Sequence, residues 1–186
     1  MKKSIFVAAA LLSPLFATAA QAQGAYGEIH GGWDNVSVLG SSQDGVTYGV
    51  ALGYEFPIAK KAFIGVEANA DDSTTKACAN DLIILGDRTC ASAGRDLSAV
   101  ARAGLDIAEG HQLYALAGYT NARLKFSYND GVTTTSSSGN GDGLRLGAGY
   151  KMGLGSKSYA KVEYRYSNYE AGFSRNQVVF GLGLKF

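Results

Sequence analysis

The chain has 186 residues, of which 46% are hydrophobic, and it carries 17 basic and 16 acidic residues for a formal net charge of +1. This length fits a single domain with a sizeable core, and the near balance of charge excludes the concentrated basic face that nucleic acid binding requires. The 25 glycines occur without a three-residue period and beside only 2 prolines, which excludes collagen and disfavours low-complexity disorder.

The N-terminal residues predict a cleaved export signal. Lys2 and Lys3 form a short positive region, Ile5–Ala20 is apolar, and Ala20-Gln21-Ala22 has the small-x-small form of a signal-peptidase site. A membrane anchor is the alternative, but the apolar run is shorter than the roughly 20 residues of a spanning helix. We therefore expect a signal peptide at residues 1–22 and one exported domain at residues 23–186.

From Ala25 onwards, apolar and polar residues alternate with the two-residue period of β-strands. The predicted strands, in chain order, are Ala25–Trp33, Gly45–Phe56, Ala62–Asp71, Leu97–Ile107, Tyr114–Tyr128, Leu144–Met152, Ala160–Tyr166 and Gln177–Phe186. In the seventh strand Lys161, Glu163 and Arg165 share one face, whereas Val100 breaks the alternation of the fourth. Most of these strands approach the roughly 9 to 11 residues that cross a bilayer at a tilt.

The even number of strands predicts a closed antiparallel up-and-down barrel that spans a membrane. Closure is required because hydrocarbon offers no hydrogen bonds to an open sheet edge. The alternative is a soluble sandwich or a lipocalin-like barrel with its apolar face inward. That alternative is disfavoured because its outer face would consist mostly of glycine and alanine on several strands, with few charges.

The predicted connections alternate between short turns and long loops. The short turns are Pro57–Lys61, Ala108–His111 and Gly153–Lys157, and the long loops are Asn35–Asp44, Asp72–Gly94, Asn129–Gly143 and Asn168–Ser174. In bacterial outer-membrane barrels the short turns are periplasmic and the long loops extracellular, so both chain ends are expected on the periplasmic side. The stretch Thr133–Gly143 is predicted to be polar and flexible.

Outward-facing aromatic residues are predicted to form two girdles at the headgroup levels. The upper girdle comprises Trp33, Tyr48, Phe126, Tyr128, Tyr164 and Tyr166, and the lower one comprises Tyr54, Phe56, Tyr114, Tyr150 and Phe186.

Three segments carry a resemblance to a known family: Lys161–Tyr166, Tyr114–Tyr119 and the last strand, which ends in Phe186. With them, the chain resembles the small eight-stranded outer-membrane barrels of the OmpA, OmpX and opacity-protein type. The resemblance implies the outer membrane of a Gram-negative bacterium and makes Phe186 part of a signal for the barrel-assembly machinery. It implies no particular activity. Larger OmpA-type proteins continue into a wall-binding domain, and we expect no wall-anchoring role here.

An eight-stranded barrel is just wide enough for side chains to fill it, so inward charges must pair. The predicted interior polar network is Glu28, His30, Glu67, Arg102, Arg145, Glu163 and Arg165, and Tyr119 and Arg123 are also expected to face inward. Two interpretations stay open. The network is either a salt-bridged plug, which the narrow bore favours, or a gated ion path.

Catalysis, such as modification of lipid A at the outer surface, is disfavoured because the chain has only 2 histidines. His111 is predicted in a periplasmic turn, at the wrong end for surface lipid, and His30 has no serine adjacent in the sequence. Cys78 and Cys90 are predicted to form a disulfide, since the compartment is oxidising. Two thiols alone make a poor zinc site. We expect no metal and no cofactor.

Together these features predict a monomeric outer-membrane barrel with a structural or surface-interaction role, such as envelope integrity or adhesion through its loops. The alternative is a narrow, porin-like passive pore for ions or small solutes. The expected partners are outer-membrane lipid and lipopolysaccharide, the assembly machinery during biogenesis, and a surface ligand that the sequence does not identify.

Overall fold

The computed structural model describes residues 24–38, 41–80, 86–170 and 172–186. The strands are β1 (Ala25–Val38), β2 (Ser41–Ala59), β3 (Ala62–Ser73), β4 (Lys76–Asn80), β5 (Arg88–Ala108), β6 (His111–Asn129), β7 (Thr134–Gly153), β8 (Ser158–Tyr169) and β9 (Phe173–Lys185). Within these ranges there is no helix with the length and apolarity to cross a membrane. The predicted signal peptide at residues 1–22 lies outside the described residues.

Eight of these nine strands close into a ring of antiparallel pairs. β1 pairs with both β2 and β9, and β3 pairs with both β2 and β5. From β5 to β9 each strand pairs with the next one along the chain. The predicted all-β, antiparallel, up-and-down fold is therefore confirmed, and β4 is an additional short strand that pairs with β5.

The strands extend well beyond their predicted ends on the long-loop side. β5 begins at Arg88 rather than Leu97 and β7 at Thr134 rather than Leu144, whereas β6 ends at Asn129, one residue beyond its predicted end. The predicted long loop Asn129–Gly143 is reduced to residues 130–133, because β7 already begins at Thr134 and includes most of the stretch Thr133–Gly143 that was predicted to be flexible. β4 lies within the predicted loop Asp72–Gly94. Outside the membrane both faces of a strand meet water, so these parts lack the apolar alternation that predicts a strand.

The barrel has apolar side chains outside and charged side chains inside. Ile29 and Phe180 are 65% and 63% exposed, whereas Arg145 and Glu163 are each 1% exposed. This distribution is the reverse of a water-soluble protein and suits a wall that faces hydrocarbon.

The predicted orientation of β6 is wrong. Tyr114, expected in the outer girdle, is 4% exposed and faces the interior, while Tyr119, expected inside, is 51% exposed. Arg123 is likewise exposed. Both faces of β6 carry small and apolar residues, with Ala115 outside and Leu116 inside, so the alternation does not determine which face is buried. A shift of one residue moves every side chain of a strand to the other face.

Candidate functional site

Inward-facing glycines make room for the large polar side chains of the interior. A Cβ atom built at Gly149 would overlap the hydroxyl of Tyr114, and one at Gly183 would overlap the ring of Tyr159. Because these positions have no side chain, the rings cross the bore and reach charged groups on other strands.

The lower interior layer, nearest the short turns, is centred on Arg102. Its Nη1 donates to Glu67 Oε2 at 2.8 Å and to the hydroxyl of Tyr26 at 2.5 Å. The Tyr26 hydroxyl donates to the same Glu67 oxygen at 2.8 Å. The guanidinium carbon also lies 3.9 Å from the centroid of the Tyr114 ring, within cation–π distance.

The middle layer is centred on the carboxylate of Glu163, whose partners lie on β6 and on β8 itself. Glu163 accepts a hydrogen bond from the Tyr114 hydroxyl at 2.6 Å and another from Arg165 Nε. Lys161 Nζ lies 3.4 Å from Glu163 and 2.8 Å from Glu28. Charges sealed in this way stabilise one another only when all are present, since removing one partner leaves an unpaired buried ion.

His30 connects the middle layer to the upper one. Its Nδ1 lies 3.1 Å from Glu28 Oε1, and its Nε2 lies 2.5 Å from Asp71 Oδ1. The other oxygen of Asp71 accepts from Arg165 Nη1 at 3.2 Å and from Arg145 Nη1 at 3.4 Å. The layers are therefore one continuous network rather than separate pairs.

The upper layer is built around Asp96. Its Oδ2 accepts from Arg145 Nη2 at 2.5 Å, from the Tyr169 hydroxyl at 2.8 Å and from Arg175 Nη1 at 3.1 Å. Arg175 also donates from Nη2 to Asp34 Oδ2 at 2.8 Å.

An apolar cap closes the bore above this layer. It consists of the buried residues Val36, Ala93, Ala122, Tyr169 and Phe173. The Tyr169 and Phe173 rings stack with their centroids 4.2 Å apart. The long-loop end is thus sealed by hydrophobic contact as well as by charge.

The short-turn end is less tightly filled. A cavity of about 430 Å³ opens there, and its lining includes Lys60, Lys61, Lys151 and Lys185. Deeper in the bore, Nε and Nη2 of Arg102 and Oε1 of Glu67 are buried without a hydrogen-bond partner among the described residues.

The structure places all seven predicted network residues inside the barrel, each at most 7% exposed. Three charged residues of the upper layer lie outside the predicted network: Asp34, Asp96 and Arg175. Each lies one or two residues beyond the predicted end of its strand. Arg175 keeps the two-residue spacing of Gln177 and Val179, so extending that strand would have found it.

The predicted girdle residues outside β6 lie on the outer wall, whereas Phe126 and Tyr128 share the face of Tyr114 on β6, so their predicted facing is wrong as well. Trp33, Tyr48, Phe56 and Tyr164 are between 46% and 52% exposed. Tyr166 is exposed and Tyr54 and Tyr150 are half-buried. Phe186 follows β9, and its backbone N–H donates to the carbonyl of Ala25 at 2.9 Å.

The predicted disulfide between Cys78 and Cys90 is confirmed. The two residues are register partners in the β4–β5 pair, with Cα atoms 4.1 Å apart. The bond holds the short β4 against the projecting part of β5.

Neither histidine contacts a serine hydroxyl of the described residues. His111 Nδ1 lies 2.5 Å from the Tyr150 hydroxyl near the short turns, and the ring nitrogens of His30 face carboxylates. In the described ranges no three His, Cys, Asp or Glu side chains are grouped so as to hold a metal ion.

A family model described as the outer membrane protein beta-barrel domain matches residues 6–186. The solved structure of Ail, the attachment invasion locus protein of Yersinia pestis, is similar with a TM-score of 0.60 and 19% identity, over 88% of this chain and 99% of Ail. Neisserial surface protein A is similar with a TM-score of 0.57 and 15% identity, over 88% of this chain and 97% of that protein. No match is found among curated proteins. At these identities the structural similarities establish the fold.

Proposed function

Because the chain belongs to the outer membrane protein beta-barrel domain family, and hence lies in the outer membrane of a Gram-negative bacterium, we propose that it is a non-enzymatic surface protein. Its barrel is a closed, monomeric anchor surrounded by outer-membrane lipid and lipopolysaccharide. Its projecting strands contact an external surface or support the envelope. During biogenesis the assembly machinery recognises its last strand, including Phe186.

The observation that carries this proposal is the closed interior. The ion pairs from Arg102 through Glu163 to Asp96 fill the bore, and the apolar cap lies above them. A solute would have to separate several buried ion pairs at once, which is costly in a medium of low dielectric constant. The function therefore belongs to what the barrel presents outside.

The part presented outside is an antiparallel sheet made by β4 and the upper ends of β5, β6 and β7. In β7 the residues from Thr134 to Asn140 are all exposed. We name this sheet the extracellular extension. It is longer than a membrane crossing needs, and the Cys78–Cys90 disulfide fastens its outer strand.

Absence of catalysis is proposed because a hydrolase site needs a nucleophile and a base within hydrogen-bond reach. His30 is held by Glu28 and Asp71, and His111 by Tyr150. Neither imidazole has a free nitrogen beside a serine or threonine hydroxyl within the part of the chain that the structure describes.

The experiment removes the tip of the extracellular extension. Phe126 and Ser137 are register partners, so residues 127–136 can be replaced by an Asn-Gly turn that preserves the pairing below. Attachment of producing cells to polystyrene, fibronectin-coated and collagen-coated wells should fall to the level of cells without the protein. Equal attachment by the shortened and wild-type proteins would refute a role for this tip.

The control checks that the shortened protein still folds and reaches the cell surface. An unheated sample of the shortened protein should migrate differently from a boiled one on a detergent gel, as an intact barrel does. Its amount on the cell surface should match that of the wild type.

A narrow passive pore is the second candidate. It is favoured by the basic cavity of about 430 Å³ at the periplasmic mouth and by the unpaired atoms of Arg102 and Glu67 above it. Planar-bilayer recordings test it. Reproducible channels in the purified wild type whose conductance changes in Arg102→Ala would support the pore. The absence of channel conductance would support the closed anchor.

A further inference from the structure

The lipid-facing wall of β2, β3, β5 and β6 contains an apolar groove. The strand register aligns two outward-facing rows, which are Leu52, Ala68, Ala99, Tyr119 and Val50, Ala70, Leu97, Asn121. Three alanines, Ala68, Ala70 and Ala99, lie in the middle beside Leu97, with larger side chains at the sides. They leave a depression of about 610 Å³ that is open to the surroundings of the barrel.

Three exposed cations lie directly above this groove. The β5–β6 register shifts between Ala93 and Asp96, and this irregularity places Arg95 beside Arg123. Both lie one outward position above the row of Leu97 and Asn121, about 7 Å along the strands. Lys125 is the next outward residue of β6. We name Arg95, Arg123 and Lys125 the cationic cluster, and all three are exposed.

The outward face of β6 changes character in one direction. From the short-turn end it presents Ala115 and Ala117, then Tyr119 and Asn121, and finally the two cations Arg123 and Lys125. This order of apolar, amphipathic and charged side chains is that of a wall passing from hydrocarbon into headgroups.

The positive charge of the cluster is not neutralised within the described part of the chain. None of its three side chains lies within ion-pair distance of a described carboxylate, and Arg123 Nη2 donates to the Ser138 hydroxyl at 2.7 Å. The nearby Asp142 carboxylate accepts hydrogen bonds from Tyr119 and Asn121 at its Oδ1, at 2.5 and 2.6 Å, and not from the cationic cluster.

We propose that the groove and the cationic cluster together bind a phosphorylated, multiply acylated lipid of the outer leaflet, the chemical class of lipid A. An acyl chain lies in the alanine-lined groove, and the headgroup phosphates contact Arg95, Arg123 and Lys125. Guanidinium and ammonium groups are the usual phosphate partners.

Other occupants use only part of this surface. An extended peptide in the groove would bring unpaired backbone groups into hydrocarbon. Free phosphate would leave the groove empty. The site lies on the wall, below the tip of the extracellular extension, so it does not depend on the proposed role of that tip.

The test measures binding of bisphosphorylated, hexa-acylated lipid A to the purified barrel in a neutral detergent. The triple variant Arg95→Gln, Arg123→Gln, Lys125→Gln should bind on the order of a hundredfold more weakly, since each cation near an anionic lipid surface contributes about a factor of five. Filling the groove with Ala99→Phe should weaken lipid A binding while leaving the cluster intact.

Matched controls separate this site from general charge attraction. The triple variant Lys60→Gln, Lys61→Gln, Lys157→Gln removes the same charge from exposed positions at the other end and should bind lipid A as the wild type does. Dephosphorylated lipid A should bind the wild type and the cluster variant equally.

Three results would overturn the assignment. The first is that the wild type and the cluster variant bind lipid A with equal affinity, and the second is that the periplasmic control variant loses as much lipid A affinity as the cluster variant. The third is that inorganic phosphate displaces lipid A at the concentrations at which lipid A itself binds. Heat-dependent migration confirms that each variant is folded. None of these results bears on the role of the tip, which the cell-attachment experiment tests separately.

Discussion

Single residues inside the barrel depend on one another because charge and space are both limited. Glu163 accepts a hydrogen bond from Tyr114 and forms ion pairs with Arg165 and Lys161. The Tyr114 ring has room only because Gly149 has no side chain. Removing any one of these groups therefore leaves another either unpaired or without room. This dependence makes the interior a sensitive place for substitution.

Glu163→Gln should lower the free energy of unfolding by about 3 to 5 kcal/mol, the usual cost of leaving a buried charge without its partner. Glutamine keeps the size of glutamate but removes the charge that holds Arg165 and Lys161. Urea unfolding and refolding in lipid vesicles measures the effect. The matched control Glu170→Gln, at an exposed position, should change it by less than about 0.5 kcal/mol. A loss of the same size in both variants would contradict the proposed role of the network.

At the scale of elements, the sequence predicts the strands that cross the membrane better than their extensions. In β2, β7, β8 and β9 one face is apolar and the other small or charged, so both strand and facing are correctly predicted. In β6 that contrast is missing, and the inner wall there carries the apolar cluster of Phe63, Val100, Tyr114 and Leu116. A rule that assigns only polar residues to the interior fails at such a cluster.

Part of the upper interior layer was left out of the predicted network for a related reason. Asp34, Asp96 and Arg175 follow or precede the apolar alternation, where the strand leaves the hydrocarbon. β4 was missed because it has no apolar face, and pairing with β5 and the disulfide hold it in place. Long-range pairing of this sort is not encoded in local periodicity.

Reducing the Cys78–Cys90 disulfide should release β4 without opening the barrel. Only five residues of β4 pair with β5, and a disulfide across a short loop contributes roughly 3 kcal/mol. Hydrogen exchange in the peptide of residues 76–92 should accelerate after reduction, or in Cys78→Ser, Cys90→Ser. The urea midpoint of the barrel should stay unchanged, and a shift of that midpoint would show that β4 supports the ring.

The turn between β6 and β7 should lose order in acid. Hydrogen bonds from the backbone N–H groups of Thr133 and then Val132 hold the pKa of the Asp130 carboxyl below its usual value. A carboxylate with a lowered pKa stabilises the folded turn above its unfolded pKa of about 4, and this stabilisation is lost as the pH falls through the lower folded value. Amide exchange of Val132 and Thr133, corrected for its intrinsic pH dependence, should show this loss of protection. Asp130→Asn should abolish the pH dependence, and an unchanged dependence would assign it to another group.

For the whole molecule, the closed ring and the inside-out distribution of polarity are two parts of one solution. Closure through the β1–β9 pair satisfies the backbone groups that hydrocarbon would leave unpaired. Once the ring is closed, the bore is too narrow for solvent, so the charged side chains inside it must pair with one another. The outer face must be apolar because it contacts hydrocarbon. The extracellular extension lies outside the hydrocarbon, so it needs neither an apolar outer face nor a closed interior of paired charges. Its residues can therefore carry a surface function.

A charge on the outer wall should therefore destabilise the protein only where that wall meets hydrocarbon. Leu182 is 57% exposed on β9 between register partners in β1 and β8, and Leu182→Arg should reduce stability in vesicles by about 2 to 4 kcal/mol. Val132→Arg is the control, since Val132 is 94% exposed in the β6–β7 turn, and it should be nearly neutral. Refolding into vesicles at increasing urea concentrations measures both. If the two variants were equally stable, Leu182 would face water rather than lipid, and the assignment of the barrel's outer wall to the membrane would fail.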